Sequence, residues 1–119
     1  MERIKQVKDH LNKFGFIKMP LYGNSMSPLI KNGDTIIVKK VSVESLKKWD
    51  IVLFVIGDEL VTHYINKINL NESTVITKGL GVDHLDPCIK IDNILGYVDI
   101  KIPMLLKVKE YILGKLRRD

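Results

Sequence analysis

Two apolar runs separated by only two residues constrain this chain more than anything else in it. Asp50-Ile-Val-Leu-Phe-Val-Ile56 is followed by Gly57-Asp58, then by Glu59-Leu-Val-Thr-His-Tyr-Ile-Asn-Lys-Ile68. Glycine adopts the positive φ that a tight hairpin turn demands, so the two runs are predicted to fold back on each other as antiparallel strands. The first run is apolar at every position from Ile51 to Ile56, as expected of a buried strand, and the second alternates strand-fashion. Thr35–Val41, Thr74–Thr77 and Ile94–Ile100 read as further strands, Ser42–Lys48 as a turn or short helix, and Asn69–Ser73 as polar turn material. Short strands with turn signals between them predict a mainly antiparallel β domain.

Both ends read as helices. Ile4, Val7, Leu11 and Phe14 recur at helical spacing, and Gly15 is placed to stop the helix they define. That helix either caps the core or presents a substrate. From Pro103 onward, Leu105, Val108, Ile112 and Leu116 share one helical face, with Lys107, Lys115, Arg117 and Arg118 off it. Such a face packs on the domain or a second subunit; a basic amphipathic helix can also rest on a membrane surface. With 119 residues the expectation is one domain: residues 1–15 an N-terminal helix, 16–102 the β core, 103–119 a C-terminal basic amphipathic helix.

Composition excludes several functions. A net charge of +5 raises nucleic-acid binding, but the basic residues are scattered through Arg3–Lys18, Lys39–Lys48 and Lys101–Arg118, with few aromatics among them to stack on bases. No specific nucleic-acid partner is expected. The longest unbroken apolar run, Ile51–Ile56, is far short of the roughly 20 residues that cross a bilayer. The first residues lack the apolar core of a secretory signal. Cys88 is the single cysteine, which rules out an internal disulfide and leaves it as a small packing residue.

Chemistry-bearing residues cluster in three places. Tyr22-Gly-Asn-Ser-Met-Ser-Pro-Leu-Ile-Lys-Asn-Gly-Asp34 holds Gly23, Pro28 and Gly33 in one short connection, which implies a backbone kept in specific turns. Ser25 and Ser27 sit on it, so it presents a candidate nucleophile where backbone N–H groups can also face an oxyanion. His63 lies in the second hairpin strand; an imidazole, with an ordinary pKa of about 6.5, suits the removal of a serine proton near neutral pH. Thr77-Lys-Gly-Leu-Gly-Val-Asp-His-Leu-Asp-Pro87 supplies Asp83, His84 and Asp86. These with His63 also raise a metal site, but they have no characteristic ligand spacing, and no metal or cofactor is expected. His84 is an alternative base, and His10 lies on the charged face of the first helix.

Gly23-x-Ser25-Met26-x-Pro28 followed by Gly33-Asp34 resembles the nucleophile segment of the signal peptidase I and LexA-like serine peptidases, and points to Ser25 rather than Ser27. Trp49-Asp-Ile-Val-Leu-Phe54 and Val61-Thr-His-Tyr-Ile65 are similar to the strand and base segments of the archaeal and endoplasmic-reticulum branch of signal peptidase I, which uses a histidine base. Here Thr62 precedes the histidine and Tyr64 stands in place of an arginine. Thr77-Lys-Gly resembles the family's Thr-Lys-Gly-Asp segment, with Leu80 where that family has its first Asp and Asp86 at the position of its later one.

The resemblance implies a LexA-like coiled antiparallel β domain, mainly β, with short N- and C-terminal helices. It implies a serine endopeptidase in which Ser25 attacks, His63 moves the proton and Asp86 orients His63, with Gly23, Asn24 and Met26 on the oxyanion and substrate side. It implies a peptide or precursor-protein substrate cut after small residues. The expected location is the cytoplasm, with peripheral membrane contact through the C-terminal helix as an addition to it. Lys67 and Lys78 are the lysines that would replace His63 as base. A self-cleaving repressor is disfavoured, since the chain has no alanine for the usual Ala-Gly site and no room for a DNA-binding domain. The remaining alternative is an inactive peptidase fold that binds a peptide or partner protein, a reading that Leu80 keeps open.

Overall fold

A computed structural model of the chain describes residues 2–117. Met1, Arg118 and Asp119, and the side chain of Arg117, lie outside what it describes, and with them part of the basic character assigned to the last helix. The first helix, α1, spans Glu2–Phe14 and buries Ile4, Val7 and Leu11. It ends where expected: Gly15 takes a φ of +81° and donates its N–H to Leu11 O at 2.8 Å. Phe14, the last residue of the predicted stripe, stays outside the core.

Seven strands follow: β1 Phe16–Pro20, β2 Thr35–Lys39, β3 Ile51–Ile56, β4 Glu59–Asn69, β5 Thr74–Lys78, β6 Ile89–Lys90 and β7 Ile94–Val98. They form one sheet in the order β1-β2-β7-β3-β4-β5-β6, and every neighbouring pair is antiparallel. The hairpin holds, with Ile56 opposite Glu59 and Gly57 at a φ of +58°. Two strands end sooner than the sequence predicts. β2 stops at Lys39 rather than Val41, and β7 stops at Val98 because the Ile100 N–H turns back onto Val98 O at 2.8 Å.

Because β3 lies between β7 and β4, its alternate residues feed two cores. Ile51 and Leu53 join Val7, Leu11, Met26, Ile30 and Leu80 in one cluster, while Val52 and Phe54 join Leu46, Ile65, Val75 and Ile91 in the other. The pairing of β4 with β5 shifts register between Ile65 and Lys67, a β-bulge that leaves Asn66 unmatched. Upstream of it, Glu59–His63 pair only with β3, so that stretch of β4 keeps one edge open.

The last helix, α2, spans Met104–Arg117, and its orientation excludes one of the places expected for its apolar face, the domain itself. Leu105, Val108, Ile112 and Leu116 do not pack on the sheet; they are all exposed. The helix instead turns Leu106 and Glu110 inward, and Glu110 is only 6% exposed. The physical reason is Lys78, whose ammonium group is wholly buried and takes Glu110 as its counter-charge. Among the described residues, no helix is long and apolar enough to cross a membrane.

Candidate active site

The loop carrying Ser25 is fastened from both sides. Leu21 N–H donates to Asp34 O (2.8 Å) and Gly33 N–H to Leu21 O (2.7 Å), closing the loop at its neck. Gly23, at a φ of +101°, donates its N–H to the Asn32 side-chain oxygen at 2.8 Å. Met26 and Ile30 are buried in the first core cluster and peg the loop to the sheet. The Met26 side chain is therefore an anchor and not a substrate contact, while Gly23 and Asn24 lie on the exposed side. Ser27 is exposed; Ser25 is the hydroxyl turned toward the sheet.

Folding brings three distant residues into one line. Ser25 Oγ lies 3.0 Å from His63 Nε2, and His63 Nδ1 lies 2.6 Å from Asp86 Oδ2. A carboxylate only accepts hydrogen bonds, so Nδ1 carries the proton, and in the neutral ring Nε2 is left to accept from the serine hydroxyl. That tautomer lets a serine pass its proton to an imidazole. Asp86 is itself held: Thr77 Oγ1 donates to the same Oδ2 at 2.7 Å, and the Asp86 N–H donates to Thr77 O at 2.9 Å. Burial disfavours the Asp86 carboxylate, but hydrogen bonds from His63 and Thr77, aided by the charges of His63 and His84, outweigh it. The carboxyl stays below its ordinary range. In the sequence Thr77 is only part of a motif; its residue type permits the hydroxyl that fixes Asp86, but its position alone does not reveal it.

Behind this line runs a buried polar network that the sequence did not disclose. Glu110 Oε1 accepts from Lys78 Nζ (2.5 Å) and from Tyr64 OH (2.8 Å), and Oε2 accepts from the Gly81 N–H (2.8 Å). Lys78 Nζ also donates to Gly79 O at 3.0 Å. As with Asp86, burial opposes ionisation of Glu110; the hydrogen bonds from Lys78, Gly81 and Tyr64, with the Lys78 charge, overcome it and lower its pKa. The network braces the turn at Gly79–Gly81, and that turn touches the loop carrying Ser25, because the Leu80 N–H donates to Ser25 O at 2.7 Å. A Cβ added to Gly79 would fall 2.7 Å from Ser25 O, so glycine alone permits this approach.

Other candidates take lesser places. Leu80 is buried in the first core cluster. Asp83 and His84 pair with each other at 3.2 Å on the exposed surface, so Asp83 does not stand in for the carboxylate absent at Leu80. His84 is not in the Ser25 line, Lys67 is exposed, and Lys78 is engaged by Glu110. Cys88 is exposed rather than packed. Among the described residues, no group of three or more His, Cys, Asp or Glu is placed to hold a metal ion.

A cleft of about 440 Å³ opens beside Ser25. Its walls come from Met19–Tyr22 at the end of β1, from Leu60–Thr62 on β4, and from Arg3 and Ile4 of α1. β1 is an edge strand, and Leu60–Thr62 belong to the part of β4 paired only with β3, so unpaired backbone borders the cleft on two sides.

An antiparallel sheet that presents a loop serine beside a strand histidine defines a class, the serine-peptidase-like β domains. The family model described as Peptidase S24-like matches residues 13–77, more than half of the chain, and the chain belongs to that family, whose fold is LexA-like. The match takes in Ser25 and His63 and stops at Thr77, short of Asp86 and Glu110; it does not single out signal peptidase I. Neither a curated relative nor a solved structure matches the chain.

Proposed function

We propose that this chain is a serine endopeptidase of signal peptidase I type that removes a leader from a peptide or protein precursor in the cytoplasm. The observation that carries the reading is the hydrogen-bonded line from Ser25 through His63 to Asp86, beside a cleft bordered by unpaired strand edges. An extended peptide laid in that cleft gains main-chain hydrogen bonds from the open edges, which bring its scissile carbonyl to Ser25. Ser25 Oγ attacks the carbonyl carbon as its proton moves to His63 Nε2. The negative oxygen that results faces the Ser25 N–H, with the Asn24 side chain as a second donor. Collapse expels the amine, which takes the proton from Nε2, and leaves an ester on Ser25. Water, deprotonated by His63, then hydrolyses the ester. Asp86 stabilises the imidazolium formed at each transfer.

The preference for small residues before the cut rests on the resemblance. The rival reading, a fold that binds without cutting, rests on Leu80. Against it, Glu110 brings a carboxylate to the Gly81 N–H, directly beside Leu80.

The test is incubation of the purified protein with leader peptides ending in small residues, alongside Ser25→Ala. Cleavage by the parent and none by the variant supports the peptidase. Binding by both without cleavage establishes the inactive module instead.

A further inference from the structure

The outer face of α2 was not used by any of the chemistry above. Met104, Leu105, Val108, Tyr111, Ile112 and Leu116 are all exposed. At 3.6 residues per turn they cover a continuous arc of roughly 140°. A soluble surface rarely leaves so much apolar area in one patch without a partner. Lys107 and Lys109 border the arc on its two sides, and Lys115 lies within it, its ammonium 5.3 Å from the Tyr111 ring centroid. The one acidic residue of the helix, Glu110, is turned inward and used up by Lys78, Tyr64 and Gly81. The exposed arc is therefore apolar and cationic, with no carboxylate of its own.

We propose that this face docks on an anionic lipid surface, with α2 lying flat and its apolar arc sunk among the headgroups. Charge decides between the occupants. A second copy meeting the face across a two-fold axis would bring the same lysines, and no carboxylate of the arc, into one seam, whereas an anionic bilayer supplies the opposite sign. Lys101, Lys48 and Lys107 line one cleft with Trp49, and the ammonium groups of Lys48 and Lys107 lie 5.2 and 5.7 Å from the Trp49 ring centroid; Asp50 and Asp99, which also line it, are paired with Lys47 and Lys39. Docking places the protein at a membrane without a spanning segment, and it stands apart from whether Ser25 is catalytic.

The experiment is co-sedimentation of the full chain with vesicles of phosphatidylcholine alone and of phosphatidylcholine mixed with phosphatidylglycerol. The three lysines of α2 alone, Lys107, Lys109 and Lys115, shift partitioning to an anionic surface by about 100-fold, so strong binding to the mixed vesicles, weak binding to the neutral ones and loss at high salt are expected. The paired substitution Ile112→Asp and Leu116→Asp, both at exposed positions, abolishes binding while leaving the melting temperature unchanged. Equal binding to both vesicles, none to either, or binding by the paired variant overturns the proposal. So does sedimentation velocity showing a dimer that the paired variant dissociates, because a second copy would then cover the face.

Discussion

Replacing Glu110 by Gln changes one charge and almost no volume, yet its consequences are large and can be worked out from contacts. Three donors converge on the carboxylate: Lys78 Nζ and Tyr64 OH on one oxygen, the Gly81 N–H on the other. An amide offers one acceptor oxygen, and its NH₂ meets whichever donor faces the second position. Lys78, with a wholly buried side chain, also loses its counter-charge. Removing one partner of a buried pair costs about 3–5 kcal/mol, and because both groups are shielded from water no discount for screening applies. Against a total stability of about 5–15 kcal/mol for a domain, that lowers the melting temperature by about 10–20 °C. Thermal unfolding followed by circular dichroism measures it. The double variant Lys78→Met, Glu110→Leu removes both charges and is expected to recover part of the loss. A melting temperature within about 3 °C of the parent for Glu110→Gln, or a double variant less stable than the single one, would refute the account of Lys78 as the residue that orients α2.

Three further outcomes follow from the same contacts. Gly79→Ala drives a Cβ against Ser25 O and displaces the loop carrying Ser25; for the proposed peptidase a misplacement near 1 Å is expected to lower kcat about 100-fold in a peptide-cleavage assay while the protein still folds. Thr77→Val keeps the shape of a buried side chain but removes a hydrogen bond to a carboxylate, a contact typically contributing about 1.5–3 kcal/mol. It is expected to raise the Asp86 pKa and cut kcat about 10-fold, an effect read from the pH–rate profile, where a purely structural role would leave the profile's shape alone. Asp86 and Glu110 both ionise more easily folded than unfolded. Their stabilisation is therefore complete above the ordinary carboxylate range and drains away as pH falls below about 4 through their folded values. Denaturant midpoints measured between pH 6 and 2 should show that loss, with a shallower acid limb for Asp86→Asn.

How much of this was legible in the sequence depended on the range over which each signal acts. The β3–β4 hairpin was readable because Gly57-Asp58 and its flanking runs are contiguous, and the stop of α1 because Gly15 adjoins its last turn. β6 escaped because two residues, Ile89 and Lys90, show no period at all. Ser25, His63 and Asp86 carried recognisable neighbours, although only the coiling of the sheet shows that they meet. Glu110 could not be read. In sequence it is one more charge on an amphipathic helix, and its partner Lys78 lies 32 residues away. The sequence leaves the facing of α2 open for the same reason: periodicity ranks helix faces by apolar content, whereas the buried ammonium of Lys78 sets the orientation through a single pair.

That pair also bears on whether the site works or merely persists. A module that only binds a peptide needs an open cleft and free strand edges, and both would survive if Ser25 Oγ and His63 Nε2 drifted apart. Here the 3.0 Å between them is fixed by contacts on separate sides. Met26 and Ile30 peg the loop from the core, and the Leu80 N–H holds Ser25 O. On the histidine side, Asp86 is clamped by Thr77. Behind the turn, Glu110 ties Gly81 to α2. Each clamp restricts groups that would otherwise gain conformational freedom, and ordering one long side chain alone costs on the order of 1 kcal/mol. Binding does not require that restriction; passing a proton from a hydroxyl to an imidazole does.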